Sequence, residues 1–275
     1  MERYPQVYGN LMSYKIYVRP TAQKIGGYAS STKTEHQKNI LDVLRVLFVH
    51  GEGTTWDMAR ARMRKVSEIR AQEKAYRRLL VGRVDRGRHA KGIMDTGMVL
   101  GRRHPKKPYS TYRLSLHGIL YGMDALDPAQ KEMDSMAACY GPLLPRIFGR
   151  WDLITKALGS DAYNLKILAR GLLLNNGATA YAANPIYELM EFVHIKYRRN
   201  FESITEHDLA EQISYWFYTF LMYRQGGANK MKRLFARDAQ LRDWYSEFVA
   251  EAGTYYAQSV RNVKRISGVL RPERP

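Results

Sequence analysis

The chain has 275 residues, 45% of them hydrophobic and 25% charged, and carries a formal net charge of +18. This is a globular composition with material for two ordinary domains. It contains no run of 18 apolar residues to make a transmembrane helix, and its one cysteine, Cys139, excludes an intramolecular disulfide and a cysteine-based zinc site.

The excess charge is localised. Residues 1–127 hold 24 lysines and arginines against 11 acids, and residues 128–275 hold 20 against 15. The window 60–113 holds 17 against 4, so the excess of the first half sits there, as a polyanion-binding site requires. The lone cysteine and the absence of a signal-type apolar stretch after Met1-Glu2-Arg3-Tyr4-Pro5 give the expectation of a cytoplasmic protein.

Residues 1–33 are tyrosine-rich and read as an N-terminal arm, in which Tyr14–Val18 forms a strand ended by Arg19-Pro20. Gly26-Gly27 and Ser30-Ser31-Thr32 read as a linker. Ile40, Val43, Leu44, Leu47 and Phe48 recur at helical spacing, which predicts a helix near 36–50. Thr34 with Gln37 would open it as a capping box, and His50-Gly51 and Gly53 would stop it. Thr54 or Thr55 can cap a second helix, with Asp57 in its first turn and Trp56, Ala59 and Met63 facing inward.

A third helix is expected over Ser67–Val81. At about 100° per residue, Ile69, Tyr76 and Leu80 share one arc, and Arg70, Lys74 and Arg77 share another with Arg78 at its edge. A helix that buries one edge and offers a basic one suits a DNA major groove. The alternative is a solvated face in which Glu68 and Glu73 pair with these cations. A basic loop, Arg83 to Lys91, follows with Arg86, Arg88 and His89.

Thr96, Met98 and Leu100, and then Tyr112, Leu114 and Leu116, alternate as half-buried strands. Between them Gly101–Pro108 reads as a turn in which Arg102, Arg103, Lys106 and Lys107 are basic. So charged a hairpin tip makes sense against phosphate.

This segment resembles the winged helix-turn-helix DNA-binding domains of prokaryotic transcriptional regulators. Lys38–His50, Thr55–Met63 and Ser67–Val81 resemble their three helices, and Arg102–Pro108 resembles the tip of their wing. Tyr112–Gly118 resembles the "Y-x-L-(T/S)-x-x-G" exit from the last strand. The link from Arg83 to Lys91 is long for the family. The resemblance covers about a third of the chain. It implies sequence-specific double-stranded DNA binding.

Beyond the wing the pattern is helical throughout. Expected helices cover His117–Leu126, a segment started by Asp127-Pro128, Arg146–Leu158 after Pro142 and Pro145, and Asp161–Leu174 closed by Asn175-Asn176-Gly177. Pro185–Arg199 and Glu206–Tyr223, the latter capped by Thr205 with Asp208, follow. Asn229–Ala252 would close the chain, running past Gly253 to about Ile266. The expected class is mainly α with a small β-hairpin: an arm (1–33), a winged helix-turn-helix (34–127) and an all-α domain (128–275) for dimerisation or ligand sensing.

Catalytic motifs are missing. There is no P-loop, G-x-G-x-x-G, G-x-S-x-G or H-E-x-x-H. Glu191 with His194, and His207 with Asp208, are weak metal or acid–base pairs. The aromatic run from Tyr215 to Tyr223 is more easily core than ligand pocket. No enzyme, metal or cofactor is expected. Base edges would be read by Arg70, Lys74, Arg77 and Arg78, and phosphates met by Arg60, Arg62, Arg64, Lys65, Arg86, Arg88, Arg102, Arg103, Lys106 and Lys107. The expected partners are double-stranded DNA and a second copy joined through the C-terminal helices, with no membrane. The alternatives are a nucleic-acid or protein module of a larger replication or RNA-bound assembly, and a helical ligand-binding or enzymatic domain with an accessory nucleic-acid module.

Overall fold

The computed structural model describes residues 33–85, 87–90, 92–174, 206–223 and 226–269. Over these the chain is mainly helical, with a small three-stranded antiparallel sheet. The arm before Lys33 and the helix expected over Pro185–Arg199 lie outside the described residues, as do Thr205 and Asn175–Gly177.

Helix α1 (Lys33–His50) buries the stripe its spacing predicts, from Ile40 to Phe48. It starts at Lys33, so Thr34 lies inside the helix instead of before it. It stops where Gly51 turns left-handed (φ 75°) and returns its N–H to the Leu47 carbonyl at 2.9 Å. A two-residue strand β1 (Gly53–Thr54) leads into α2 (Thr55–Arg62). Thr54 is the cap: its hydroxyl accepts from the Asp57 N–H at 3.1 Å, and the Asp57 carboxylate accepts from the Thr54 N–H at 3.0 Å. Met58 and Ala59 are buried, but Trp56, expected inside, is 40% exposed, because it falls at the edge of the arc set by Thr55, Met58 and Ala59. Helix α3 (Val66–Val81) buries Ile69, Tyr76 and Leu80, as its period predicts.

The link after α3 is not a plain loop. It folds into a hairpin of β2 (Arg83–Asp85) and β3 (Arg88–Ala90), paired from Arg83↔Ala90 to Asp85↔Arg88. Strands β4 (Val99–Arg103) and β5 (Ser110–Leu114) then pair from Val99↔Leu114 to Arg103↔Ser110, and β1 joins the far edge of β5, giving the order β1-β5-β4. Both expected strands were too long at their buried ends. Thr96 ends a 3-10 turn (Met94–Thr96), and Leu116 opens helix α4 (Leu116–Ala125). The wing turn is also shorter than Gly101–Pro108. Arg102 and Arg103 are still in the ladder, and the His104 N–H closes on the Tyr109 carbonyl at 3.0 Å.

Ser115 ends β5 and begins α4. Its hydroxyl accepts from the Gly118 N–H at 3.1 Å and donates to the Gly97 carbonyl at 2.6 Å. Gly118 lies against the strand entry: a Cβ there would stand 2.0 Å from the Met98 carbonyl oxygen.

Helix α5 (Gln130–Cys139) starts two residues after Pro128, with Glu132 accepting from the Ala129 N–H at 3.0 Å. Asp127, expected to cap it, takes a positive φ of 43° and pairs with Lys166 instead. Pro142 and Pro145 sit among short 3-10 turns, so α6 is only Trp151–Leu158. A 3-10 segment (Gly159–Asn164) occupies the start expected for α7 (Leu165–Leu174). Helix α8 spans Glu206–Tyr223, α9 spans Gly227–Arg237 and α10 spans Ala239–Val269. The last expected helix is thus two. Asp238 divides them, its carboxylate accepting from the Leu241 N–H at 3.0 Å, while Gly253 does not interrupt α10.

The core runs without a break across the boundary expected near 127. Tyr140, just after α5, donates its hydroxyl to the Leu47 carbonyl at 2.9 Å and accepts from the Leu114 N–H at 3.2 Å. Arg45 on α1 donates to the Leu126 carbonyl at 2.8 Å and pairs with Glu132. Two elements of the first half are thus pinned to the first helix of the second.

His117, in the first turn of α4, is fully buried, and burial pulls its pKa from 6.5 down to about 3. Between those values the unfolded chain takes a proton that the native chain refuses. Stability is therefore fully present above pH 6.5 and is lost as pH falls toward 3, by about 1.4 kcal/mol per pH unit. In urea unfolding at pH 7, 5 and 4, His117→Gln should show a slope with pH shallower by one proton, whatever it costs at pH 7. Equal slopes in both proteins would show that His117 protonates in the native state.

Candidate nucleic-acid interface

Helix α3 is fixed by its inner edge, which leaves the neighbouring edge to solvent. Arg70, Lys74, Arg77 and Arg78 are all exposed on it. None of the four makes an ion pair among the described residues. The two acids that might have neutralised them are engaged otherwise. Glu73 accepts from the Thr55 hydroxyl at 2.8 Å, which ties α3 to α2, and Glu68 lies 3.8 Å from Lys65. A solvated face balanced by its own acids is therefore not what the helix presents.

The strands bring a second set of cations beside the first. Side chains alternate along a strand, so Arg103, opposite Ser110, shares the face of Tyr112, and Arg102, opposite Thr111, points to the other. Tyr112 is buried, which raises its pKa, and the Arg77 guanidinium works against that rise. Arg77 is thus close enough to the sheet to be felt by β5. Arg102, Arg103, Lys106 and Lys107 are exposed and make no ion pair among the described residues.

The turn itself is ordered. The His104 Nδ1 accepts from the Lys106 N–H at 3.1 Å, the His104 and Tyr109 rings lie 5.1 Å apart, and the Lys107 ammonium stands 5.5 Å from the Tyr109 ring. Arg103, His104, Lys106 and Lys107 with Pro105 and Pro108 line a shallow open cleft. Its cationic walls and exposed backbone suit an anionic oxygen.

The residues expected to meet phosphate divide. Arg60 and Arg64 are exposed and make no ion pair among the described residues. Lys65 is exposed and only loosely near Glu68. Arg62 is paired with Asp42 on α1 at 2.6 Å. Arg86 lies outside the described residues, and of Arg88 only the backbone, opposite Asp85, is described. Arg113, inside the basic window, is likewise structural. It stands 3.0 Å from Glu206, which also accepts from the Leu116 N–H at 2.7 Å. Sequence reasoning missed Glu206, and no local signal marks a partner 93 residues away.

His207 is exposed at the start of α8, and His194 lies outside the described residues. Among the described residues no group of three or more His, Cys, Asp or Glu converges, and no helix is long and apolar enough to cross a membrane. Protein-family models, curated proteins and solved structures, each compared with the chain, contain no match to it.

Proposed function

We propose that residues 33–126 form a winged helix that binds double-stranded DNA in a sequence-specific way, in a cytoplasmic protein of the transcriptional-regulator type. The observation that carries this reading is the pair of adjoining cationic surfaces without acidic partners, one on α3 and one on the β4–β5 ribbon. The element order α1-β1-α2-α3-β2-β3-β4-β5, in which β1 completes the sheet and the β2–β3 hairpin is an insertion, suits the same reading. So does the exit at Tyr112–Gly118, whose serine and glycine each have a specific contact. Helix α3 enters the major groove, and the wing rests on phosphate. The deciding experiment is selection of duplexes from a random DNA pool, with duplex RNA and single strands as competitors. An enriched duplex site supports the reading, and equal competition by RNA or single strands would sink it.

The two surfaces make separable contributions. Replacing Arg102 and Arg103 with Ala should weaken cognate and random duplexes alike, because a wing meets mostly backbone. Arg77→Ala should lose discrimination at one base position, by about 1–3 kcal/mol. If Arg77→Ala weakens cognate and random DNA by the same factor, α3 does not read bases.

The protein acts as a homodimer through its last helix. Helix α10 has 31 residues, about 46 Å at 1.5 Å per residue. Its first part packs on α8: Leu241 is buried, and the Phe248 ring stacks 3.7 Å from Tyr215. From Val249, which is 44% exposed, every further position with a described side chain is exposed, including Glu251, Thr254, Ala257 and Arg261. The other face of this stretch carries Val260, Val263 and Ile266, whose side chains are outside those described, and an apolar face of that kind finds a two-fold mate most readily. Sedimentation of the full chain at micromolar concentration should give twice 31.8 kDa. A monomer there removes the dimer and with it the expectation of a palindromic site.

A further inference from the structure

In the C-terminal half several cations have acidic partners. Lys166 pairs with Asp127, Arg146 with Glu211, Arg150 with Asp238, Lys230 with Asp161 and Arg242 with Asp243. Among the described residues, half of the cations without one lie together on α9. Lys232, Arg233 and Arg237 are exposed there without an ion pair, and the helix contains no acid at all. The others with described side chains, Lys131, Lys156 and Arg261, stand singly on three different helices.

The face is held in place. Met231 and Leu234 are fully buried, and Gly227 packs so tightly that a Cβ would stand 1.6 Å from the Leu221 carbonyl oxygen. That contact fixes the corner between α8 and α9. Lys230, on the flank, is tied down by Asp161. Asn229, Lys232, Arg233, Ala236 and Arg237 are left as one outward surface, with the small Ala236 between the cations. From Arg233 to Arg237 the axial rise is about 6 Å, a distance comparable to two steps of 3.4 Å along one nucleic-acid strand.

We propose that this outer face of α9 is a second phosphate-binding surface, which holds the backbone of the same nucleic acid outside the reach of α3 and the wing. The inference rests on the DNA-binding reading above and extends its footprint. An anionic membrane suits the face less well, because a surface-binding helix must also offer an apolar side and that of α9 is already buried in its own core.

The test uses the full-length protein with Lys232, Arg233 and Arg237 all changed to Gln, a 60-base-pair duplex and a series of salt concentrations. These positions are exposed, so the thermal midpoint should not change. Each phosphate contact contributes about 0.9 to the slope of log affinity on log salt, so the triple variant should lose roughly 2–3 of slope and at least tenfold in affinity at low salt. A photo-crosslinking residue at Ala236 should label the duplex. An unchanged slope with no label at 236, while wing variants still weaken binding, overturns this inference and leaves the DNA-binding reading standing. Absence of duplex binding by the unaltered protein fails that reading first. Binding to vesicles with 30% anionic lipid that the triple variant loses, with an unaltered DNA slope, would assign the face to membranes and overturn the inference.

Discussion

Duplex DNA affinity should fall by about three orders of magnitude or more between 50 and 200 mM salt, the range for six to ten phosphate contacts. The supply of cations sets this expectation. Arg60, Arg64, Arg70, Lys74, Arg77, Arg78, Arg102, Arg103, Lys106 and Lys107 are all exposed without an ion pair among the described residues. Each that meets a phosphate releases counterions, and none must first abandon an acid. Arg62 and Arg113 are different. Their charges are already opposed by Asp42 and Glu206, so removing them should change the salt slope little; loss of the part-buried Arg113 pair should also cost stability, and loss of the exposed Arg62 pair at most about 1 kcal/mol. Fluorescence anisotropy across the salt range checks the whole expectation. An affinity that is flat from 50 to 200 mM would remove the electrostatic footprint and leave the charge of this surface without a role.

Gly118→Ala should destabilise the protein by roughly 3 kcal/mol or more, among the largest effects a single methyl can have. The added carbon would meet backbone, not a side chain that can swing away: it lies 2.0 Å from the Met98 oxygen and 2.9 Å from its carbonyl carbon. That same oxygen accepts from the Ser115 N–H at 2.9 Å, so relief by moving it would break the join between the wing and α4. Gly253→Ala is the control. It lies within α10 with no atom near its would-be Cβ, and there alanine should stabilise by about 1 kcal/mol. Urea unfolding of both variants measures the contrast. If Gly118→Ala costs less than 1 kcal/mol, α4 does not press on the strand entry as described.

The local features of this chain were legible in its sequence because they depend on neighbours a few residues apart. The stripe of α1, the Thr54–Asp57 cap and the inner edge of α3 all arise from helical period or from one capping contact. Where two local signals competed, the sequence reading went astray. Thr96 and Leu116 continue the strand alternation, yet the 3-10 turn at Met94–Thr96 and the Ser115 cap end the strands sooner. The last helix runs past Gly253 as expected, but its apolar spacing hid the break at Asp238, whose side chain caps the second of the two helices. The link after α3 held only weak strand signals, and its hairpin depends on cross-strand pairing that no period reveals.

By itself the sequence determined where the charge is concentrated, which residues face the core in α1 and α3, and that the chain is mainly helical. These follow from composition and from contacts within one or two turns. Only the tertiary structure decided which cations remain available. That depends on acids far away in the chain: Asp42 for Arg62, Glu206 for Arg113, Asp161 for Lys230. The closeness of Arg77 to Tyr112 and the need for glycine at 118 were also settled by packing between elements. Pairing and close approach require two segments to meet in space, and residue spacing along one segment carries no record of the other.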